Sequence, residues 1–509
     1  MSEIELKFGV PAAAIAAVDA ALTRRRAVLL QLENRYFDSA DRRLAAAHLA
    51  LRLRKARGRW EQTLKAPGAH VAERAEETVA RPGPWPGGAP LPDPALHRGT
   101  AAGARLESVL AEGRAIPAAL QLVHASTVRR RALRVDDARA TVEIALDIGE
   151  IRAGDRSEPL CELEIELKRG EAAALIPYAR ASVDVHGMWL SSIAKATRGE
   201  RLARLAHGLA PTPLALKARP VDLSEARSGR AIFRAIFAAC VEQVLANASV
   251  LAAAEIDDEA VHQLRVGLRR LRTAARELGA WSEGLAPTWQ APATHVFREL
   301  GRYRDRTTIA AQMQGRLVAA GSPAPQTPAA RAESVDPVAL VRAASFQHAL
   351  LDLLEFLLAA PSAPDKRALG ASDPAAASAK DEVAAALERL HAKLPHDAAR
   401  FAALDAARRH RARKRLKRMR YLVELVGPLF GRHAPARYLK RLEPAQDKLG
   451  AYMDLVVAAQ LATERAEHED ARAWFDVGWL GAQLDEAARR AARSLRRSAA
   501  AKPFWRDAS

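Results

Sequence analysis

The sequence predicts a protein with two domains of different class, an α+β domain rich in antiparallel strands and an all-helical domain. Apolar and charged residues alternate repeatedly within residues 1–205, which is typical of half-buried strands. From residue 224 onwards, apolar residues instead recur with helical periodicity. The proline-punctuated segment APTPLALKARP separates the two patterns. We therefore expect a first domain over residues 1–205, a linker over 206–223 and a helical domain over 224–509.

The charge and the cysteine content limit the classes of partner and of structural support. The chain of 509 residues has a formal net charge of +18, which favours an anionic partner such as nucleic acid, polyphosphate or an acidic membrane. Cys161 and Cys240 lie far apart, so neither a disulfide framework nor a zinc site is expected. The most apolar stretch, residues 232–254, contains Arg234 and Glu242 and predicts a buried helix. No signal-peptide pattern opens the chain, and we expect a cytoplasmic protein without membrane association.

Five predicted strands carry charged residues on one face and apolar residues on the other, because residues two apart in a strand share a face. A sheet with its charges in water would explain any single strand. Repeated acid-x-acid and Arg-x-Arg pairs favour instead a closed barrel with the charges inside, since carboxylates bind Mg²⁺ or Mn²⁺ and basic groups bind phosphate oxygens. The charged faces consist of Glu3, Glu5 and Lys7; Arg52 and Arg54; Thr63 and Lys65; Glu143 and Asp147; and Glu162, Glu164 and Glu166.

The segments between and after these strands predict helices and loops. Residues 11–26 and 171–182 have helical patterns. The Pro/Gly-rich stretch 81–94 predicts a loop, and the Ala/Pro/Ser-rich stretches 319–337 and 359–380 predict loops or disordered insertions.

The motifs of the first part together resemble the CYTH superfamily, the triphosphate tunnel metalloenzymes. The resemblance covers about residues 1–205 and begins with the ExExK pattern of EIELKF. It continues through NRYFDSADRRLAAAHLALRLRK, WEQTLKAPG, VEIALDIGEIRAG, SEPLCELEIELKRG and SSIAKATRGERL. It implies an eight-stranded antiparallel barrel that forms a tunnel for a triphosphate.

The same resemblance implies roles for individual residues. Of three consecutive arginines, Arg130 is implied as a triphosphate ligand, with Arg129 or Arg131 as the alternatives. Glu143 and Glu166 are further candidates for metal ligands. Arg74 and Glu76 match a more variable position. The implied metal ligands for Mg²⁺ or Mn²⁺ are Glu3, Glu5, Asp147, Glu162 and Glu164; the implied triphosphate ligands are Lys7, Arg52, Arg54, Lys65, Arg130 and Lys195; and the implied catalytic residues are Glu5, Lys7, Lys65 and Glu164.

The helical part contains an internal duplication. The segments HQLRVGLRRLR and HRARKRLKRMR align on a histidine, and LGRYRD and LGAYMD follow them at nearly equal intervals. Positions 0, +3, +7 and +10 of each segment fall within about 80° of a helix surface, so each forms a basic stripe. The alternative of a solvated charged face is weakened by the repeat. The stripes comprise His262, Arg265, Arg269 and Arg272, and His410, Arg413, Lys417 and Arg420.

This second part resembles the CHAD domain over about residues 224–480, through VHQLRVGLRRLR, LGRYRD, RHRARKRLKRMRYLVEL and LEPAQDKLGAYMD. The resemblance implies two pseudo-symmetric helical bundles and a basic groove that binds inorganic polyphosphate. Nucleic acid is disfavoured, because no DNA-binding motif occurs and aromatic residues are few. The two histidines predict an affinity that rises as the pH falls through about 6.5.

The tandem order resembles bacterial CYTH–CHAD proteins. We therefore expect a metal-dependent inorganic triphosphatase whose helical domain binds polyphosphate, with no protein partner implied. The alternative is a polyphosphate-binding or localisation protein with weak or different CYTH activity, as a thiamine triphosphatase or an adenylate cyclase.

Overall fold

The structure is a computed structural model of the chain, and it describes residues 2–68, 72–85, 88–112, 118–324, 335–359, 374–468 and 470–506. Parts of the three predicted loop stretches, 86–87, 325–334 and 360–373, lie outside the described residues. A helix begins at Pro374, within the stretch 359–380 that the sequence assigned to a loop. The loop prediction was wrong there, because the Ala-rich composition that suggested an insertion also suits a helix.

The chain divides into two compact units that do not follow a single cut in the sequence. The first comprises residues 1–216, 245–260 and 341–360, and the second comprises residues 217–244, 261–340 and 361–509. The sequence predicts separate domains at 1–205 and 224–509. In the structure, residues 245–260 and 341–360 of the predicted helical domain belong to the first unit together with the strands.

The first unit contains a closed antiparallel barrel, as predicted. Its strand order is β5-β4-β3-β2-β6-β7-β8-β1, and the pairing of β5 with β1 closes the ring. A short ninth strand, β9, adds to β1. The strands are β1 (Ser2–Gly9), β2 (Val28–Ser39), β3 (Ala50–Ala56), β4 (Arg59–Pro67), β5 (Glu73–Arg81), β6 (Leu120–Asp136), β7 (Ala140–Ala153), β8 (Arg156–Gly170) and β9 (Trp189–Leu190).

The register of the strands turns the charged faces into the barrel. Lys7 lies opposite Glu164, and Asp147 lies opposite both Arg130 and Glu162. Side chains on the alternate face, among them Leu6 and Phe8, are also buried. Exposed fractions of only 7% for Lys7 and 1% for Asp147 exclude the reading in which these charges face water.

Five helices accompany the barrel: α1 (Ile15–Arg24), α2 (Arg43–Ala46), α3 (Ala101–Ala111), α4 (Leu175–His186) and α5 (Lys195–Ala206). The helices α1 and α4 confirm the helical patterns at 11–26 and 171–182. Leu202 and Ala203 of α5 pack against Leu32, Val128 and Leu160, which belong to the inward-facing positions of their strands. The helix α5 therefore fills one end of the barrel interior and brings its first residue, Lys195, to the charged part.

The remaining helices are α6 (Gly229–Ala252), α7 (Asp258–Glu277), α8 (Gln290–Arg304), α9 (Ala310–Ala319), α10 (Pro337–Arg342), α11 (Ala344–Leu358), α12 (Pro374–His391), α13 (Lys393–Arg400), α14 (Ala406–Val426), α15 (His433–His468) and α16 (Trp474–Ala499). The duplicated segments form α7 and α14. Buried Leu264, Leu268 and Leu416 seat these two helices in the core. A π-helical turn, Asp305–Ile309, joins α8 to α9.

Within the described residues, α6 alone is long and apolar enough to cross a membrane. Of its most apolar 18-residue window, 72% is buried inside the protein. This burial agrees with the expected core helix.

The helix α11 belongs to the first unit, and ten of its 15 residues are buried. The amide oxygen of its buried Gln347 accepts a hydrogen bond from the backbone N–H of Leu190 at 2.8 Å. The guanidinium of Arg180 in α4 donates to Asp352 at 2.7 Å and to Glu355 at 2.9 Å. A helix from the distant sequence thus completes the surroundings of α4 and β9.

Candidate functional site

Three carboxylates inside the barrel form a compact triad. Asp147, Glu162 and Glu164 each offer one oxygen, and these oxygens lie within 4.8 Å of one another. Strand register explains the cluster, since Asp147 on β7 pairs with Glu162 on β8 and Glu164 follows two residues later on the same face. Three carboxylates are a donor set that suits a hard divalent cation. Among the described residues, no other group of three metal-ligating side chains is this close together.

Two basic side chains contact the triad. The ammonium of Lys195 lies 2.7 Å from Asp147 Oδ2 and 2.7 Å from Glu164 Oε1, and it also contacts Glu162. Arg130 donates to both oxygens of Asp147, at 2.6 and 2.7 Å, and contacts Glu164. The ammonium of Lys195 therefore places a positive charge from the protein itself among the three carboxylates.

Only one of the three consecutive arginines points into the barrel. Arg130 joins the triad, whereas Arg129 and Arg131 bind Asp19 of α1, at 3.1 and 2.9 Å. The structure thus turns Arg130, the residue that the resemblance implied, into the barrel, and not Arg129 or Arg131.

The electrostatics of the triad match this arrangement. Burial alone would lower the pKa of Lys195, but Asp147, Glu162 and Glu164 raise it well above its ordinary value. Burial would raise the pKa of Glu164, yet Lys195 and Arg130 hold it well below its usual range. Burial keeps the pKa of Glu162 raised despite the nearby charge of Lys195. The site is therefore a set of charges balanced against each other out of bulk water.

Glu3 belongs to a second charged group in the barrel rather than to the triad. Lys65 donates to Glu3 at 3.1 Å and contacts Glu76, which lies 3.6 Å from Arg52. Burial and a hydrogen bond with Glu76 raise the pKa of Glu3 to about 8. Glu76 thus belongs to the tunnel wall, whereas the resemblance matched it only to a variable position. The backbone of Arg74 pairs with Glu3, but its side chain lies outside the described residues.

Two arginines of β3 add positive charge to the interior. Arg52 donates to Thr63 at 3.2 Å, and Arg54 donates to Asn34 at 2.9 Å. Burial, together with the charges of Arg52 and Arg130, lowers the pKa of Arg54 to about 10. An anion placed among these guanidiniums would relieve their mutual repulsion.

The remaining predicted residues of the barrel occupy the same face as the triad. Lys7 lies across from Glu164, and Glu5 lies across from Glu166. Lys168 pairs with Glu166 at 2.6 Å and lies 3.7 Å from Glu143. The predicted ligands Glu3 and Glu5 therefore line the tunnel without joining the three clustered carboxylates.

In the second unit, the two basic stripes form one cationic cluster. Arg269 of α7 donates to the hydroxyl of Tyr421 in α14 at 3.1 Å. The guanidiniums of Arg265, Arg269 and Arg272 lie over the ring of Phe297, at 5.1, 5.1 and 5.5 Å from its centre. This stacking holds three like charges on one side of α7.

Burial and repulsion within the cluster lower the pKa values of several of its basic groups. Burial and the charges of Arg269, Arg413 and Arg265 lower the pKa of Lys417 to about 6. Burial, Lys414 and Arg413 lower the pKa of His410 below its ordinary value. Among the residues that the structure describes, Lys417 makes no hydrogen bond or ion pair. The cluster therefore holds positive charge that an external anion could compensate.

The sequence of the chain matches two family models in tandem. Residues 1–199 match the CYTH domain, and residues 235–463 match the CHAD domain. The chain carries a CYTH domain followed by a CHAD domain.

Individual relatives resemble one domain or the other. The inorganic triphosphatase of Haemophilus influenzae is 27% identical over 173 residues, which are 33% of this chain and 45% of the relative. This chain thus matches less than half the length of that relative. The crystal structure of the CHAD domain from the plant Ricinus communis is 26% identical, with a TM-score of 0.44 over 55% of this chain and 96% of that one. A putative adenylyl cyclase from Hippeastrum, described as having a dominant triphosphatase activity, is 17% identical, with a TM-score of 0.26 over 41% of this chain and 98% of that one.

Some predicted residues of the CHAD domain lie apart from its cationic cluster. Arg420 pairs with Glu424 at 2.5 Å and donates to Gln446 at 2.7 Å. His262, at the start of the first stripe, is half-buried. Arg420 is therefore compensated by the protein itself and is a weaker candidate for an external anion than Arg413 or Lys417.

Sequence reasoning missed several charged residues of the CHAD cluster. Arg298 and Lys414 lie close enough to Arg272 to perturb titration. Asp305 and Asp454, the matching acids of the two repeats, lie close to each other and to Arg413. The two acids end the segments LGRYRD and LGAYMD, and their nearly equal spacing from the two histidines is the signal that could have marked them.

Proposed function

We propose that the protein is a metal-dependent inorganic triphosphatase that hydrolyses triphosphate to pyrophosphate and phosphate, and that its CHAD domain binds inorganic polyphosphate. The observation that carries the enzymatic part is the carboxylate triad, which lies beside buried arginines and lysines inside a closed barrel. A site that binds only a metal ion would not need the arginines, and a site that binds only an anion would not need the carboxylates.

The basic residues of the tunnel would bind and orient the substrate. A triphosphate carries about four to five negative charges, so several cations must surround it at once. Lys7, Arg52 and Arg54 face the interior from β1 and β3, while Arg130 enters from β6. Fixed cations around a bound triphosphate hold the terminal phosphorus in line for attack and stabilise charge that moves to the leaving pyrophosphate.

The triad Asp147, Glu162 and Glu164 would hold the divalent ion, and Mg²⁺ or Mn²⁺ fits its all-oxygen donor set. When bound, such an ion neutralises phosphate charge and lowers the pKa of a water molecule. The protein's own contribution is to keep Asp147 and Glu164 ionised, which Lys195 and Arg130 do by lowering the pKa of each carboxyl group.

The CHAD domain would bind polyphosphate through the cluster around Arg265, Arg269, Arg413 and Lys417. Support comes from the burial and the mutual repulsion of Arg265, Arg413 and Lys417, which together lower the pKa of each of these groups. A chain of phosphates supplies closely spaced anions that can contact several of these groups together.

A substrate screen tests the enzymatic proposal. Phosphate release should be fastest with inorganic triphosphate, slower with ATP and thiamine triphosphate, and absent after complete chelation of divalent ions. Undiminished activity in excess chelator would contradict the metal role. Faster turnover of thiamine triphosphate or conversion of ATP to cyclic AMP would assign the barrel to another CYTH activity. No turnover of any triphosphate would leave a polyphosphate-binding protein.

A further inference from the structure

Lys195 occupies the point at which the three carboxylates of the triad converge. Its ammonium contacts all three, at 2.7 Å from Asp147 and 2.7 Å from Glu164 and in direct contact with Glu162. Only 10% of its side chain is exposed. A divalent ion bound by the same three oxygens would meet this ammonium at close range, and the two cations would repel each other strongly in a buried site.

The two basic partners of the triad differ in how firmly they are held. Arg130 lies within β6 and donates to both oxygens of Asp147, so its position is fixed by a paired strand and a bidentate contact. Lys195 is the first residue of α5 and follows residues 191–194, which have no regular structure. Its flexible four-carbon stem lets the ammonium move while the helix stays in place. When a second cation enters, Lys195 is therefore the group that can leave.

The part of the tunnel next to the triad is where a displaced Lys195 ammonium would move. Lys7 lies opposite Glu164, and Arg54 is close enough to Arg130 to have its pKa lowered, so the triad borders the basic part of the tunnel. An ammonium that leaves the triad toward this region approaches the cations Lys7 and Arg54, and a bound phosphate would offset their charge. Departure of Lys195 is thus unfavourable without an anionic substrate and favourable with one.

We propose that Lys195 is a built-in competitor for the metal site, which closes the triad in the free protein and moves to the substrate's phosphate oxygens when triphosphate and a divalent ion bind. Metal and triphosphate then bind with positive coupling, and the coupling is reciprocal. This inference rests on the proposed metal site at Asp147, Glu162 and Glu164.

The test measures Mn²⁺ binding to the full-length, metal-stripped protein in the absence of triphosphate, with the electron paramagnetic resonance signal of free Mn²⁺ as the readout. Lys195→Met and Lys195→Gln remove the competing charge, and we expect both to bind Mn²⁺ at least tenfold more tightly than the wild type. Lys55→Met, which removes a lysine from the outer face of β3, is the matched control and should bind as the wild type does. Circular dichroism of each variant verifies that the barrel is folded.

The outcomes separate this inference from the proposed function. Equal or weaker Mn²⁺ binding by both Lys195 variants would overturn the role of Lys195 while leaving the metal site in place. No Mn²⁺ binding by the wild type or by any variant, in folded protein, would overturn the metal site itself and with it the metal dependence of the proposed activity. Tighter binding by Lys55→Met as well would show a general charge effect and would also overturn the specific role of Lys195.

Discussion

Neighbouring charges decide whether a buried ionisable group in this protein keeps its charge. Glu164 stays ionised because Lys195 and Arg130 contact it, although burial alone would raise its pKa. Burial and neighbouring cations lower the pKa of Lys417 to about 6. Three carboxylates instead raise the pKa of Lys195, so a buried lysine titrates differently in the two domains.

Glu164→Gln should lower the rate of triphosphate hydrolysis on the order of 100-fold, because an amide keeps the shape but removes a charge from the triad. Phosphate release at saturating metal and triphosphate measures the effect. Glu150→Gln is the matched control, since Glu150 lies on β7 but pairs with the outward-facing Thr127. A rate for Glu164→Gln that equals that of Glu150→Gln would show that the triad has no part in catalysis.

The affinity for polyphosphate should fall as the pH rises from about 6, and Lys417 should account for most of the change. Bound phosphates raise the pKa of Lys417 above the value of about 6 that it has in the free protein. Its contribution to binding is fully present below the lower pKa and is lost as the pH rises through the higher one, with at most about a tenfold change per pH unit. This window replaces the one near 6.5 expected from histidine, because the pKa of His410 is lowered as well.

Titrations of the full-length chain between pH 5 and 9, without divalent ions, measure this dependence. Lys417→Arg keeps the charge at every pH and should flatten the curve above pH 6.5, whereas His410→Asn should leave that part unchanged. The same slope in the wild type and in Lys417→Arg would assign the titration to another group.

At the scale of secondary-structure elements, two helices decide what the barrel can do. The helix α5 fills one end of the barrel and supplies Lys195 to the triad. The helix α11 comes from the helical half of the sequence but packs in the first unit, where Gln347 binds the backbone of β9. Every strand and motif of the barrel lies before residue 210, so the sequence by itself predicts that a fragment ending there is active.

A fragment of residues 1–210 should be markedly less stable than the barrel in the intact chain. Its loss of α11 uncovers the side of α4 that packs against that helix, and the buried apolar residues of α4 include Ile176 and Val183, which are 1% and 2% exposed in the full protein. Exposure of a few such side chains costs roughly 5 kcal/mol and should lower the melting temperature by roughly 10 °C. Thermal melting compares the fragment with the intact chain.

Gln347→Ala in the full-length chain is a second probe of the same contact, because it leaves the buried N–H of Leu190 without its partner. We expect it to destabilise the first unit by about 1–3 kcal/mol. A fragment that melts with the intact barrel, together with a neutral Gln347→Ala, would show that α11 contributes nothing to the barrel.

At the scale of the whole molecule, a net charge of +18 favours an anionic partner, and each domain concentrates part of that charge around a site. The CYTH domain places basic residues inside a barrel together with carboxylates. The CHAD domain gathers its basic residues on α7 and α14. Charge alone does not distinguish polyphosphate from nucleic acid, so the distinction must come from how the charges are spaced.

Arg265→Glu/Arg413→Glu in the full-length chain should weaken binding of long-chain polyphosphate at least tenfold and make it less dependent on salt, because fewer phosphate contacts release fewer counterions. Arg489→Glu/Arg493→Glu changes the net charge equally on the exposed surface of α16 and should have little effect. Fluorescence anisotropy at several salt concentrations measures both. Equal losses in the two double variants, or equal competition by double-stranded DNA at the same phosphate concentration, would indicate a general polyanion surface.

The sequence by itself determined the features that depend on local periodicity. Alternation fixed which residues of each strand share a face, because successive side chains of a strand point to opposite sides. The repeat of His262 and His410 identified the two basic helices. Family resemblance added the closed barrel and most of the residues that line it.

Only the tertiary structure decided which charges meet. Strand pairing turns Arg130 into the barrel, while Arg129 and Arg131 bind Asp19. Closure of β5 onto β1 brings Glu3 to Lys65 and Glu76, and the packing of α5 places Lys195 within the triad. These contacts join residues far apart in the chain, and burial then sets their pKa values. Local periodicity predicts neither long-range contacts nor desolvation, because both depend on which surfaces the fold removes from water.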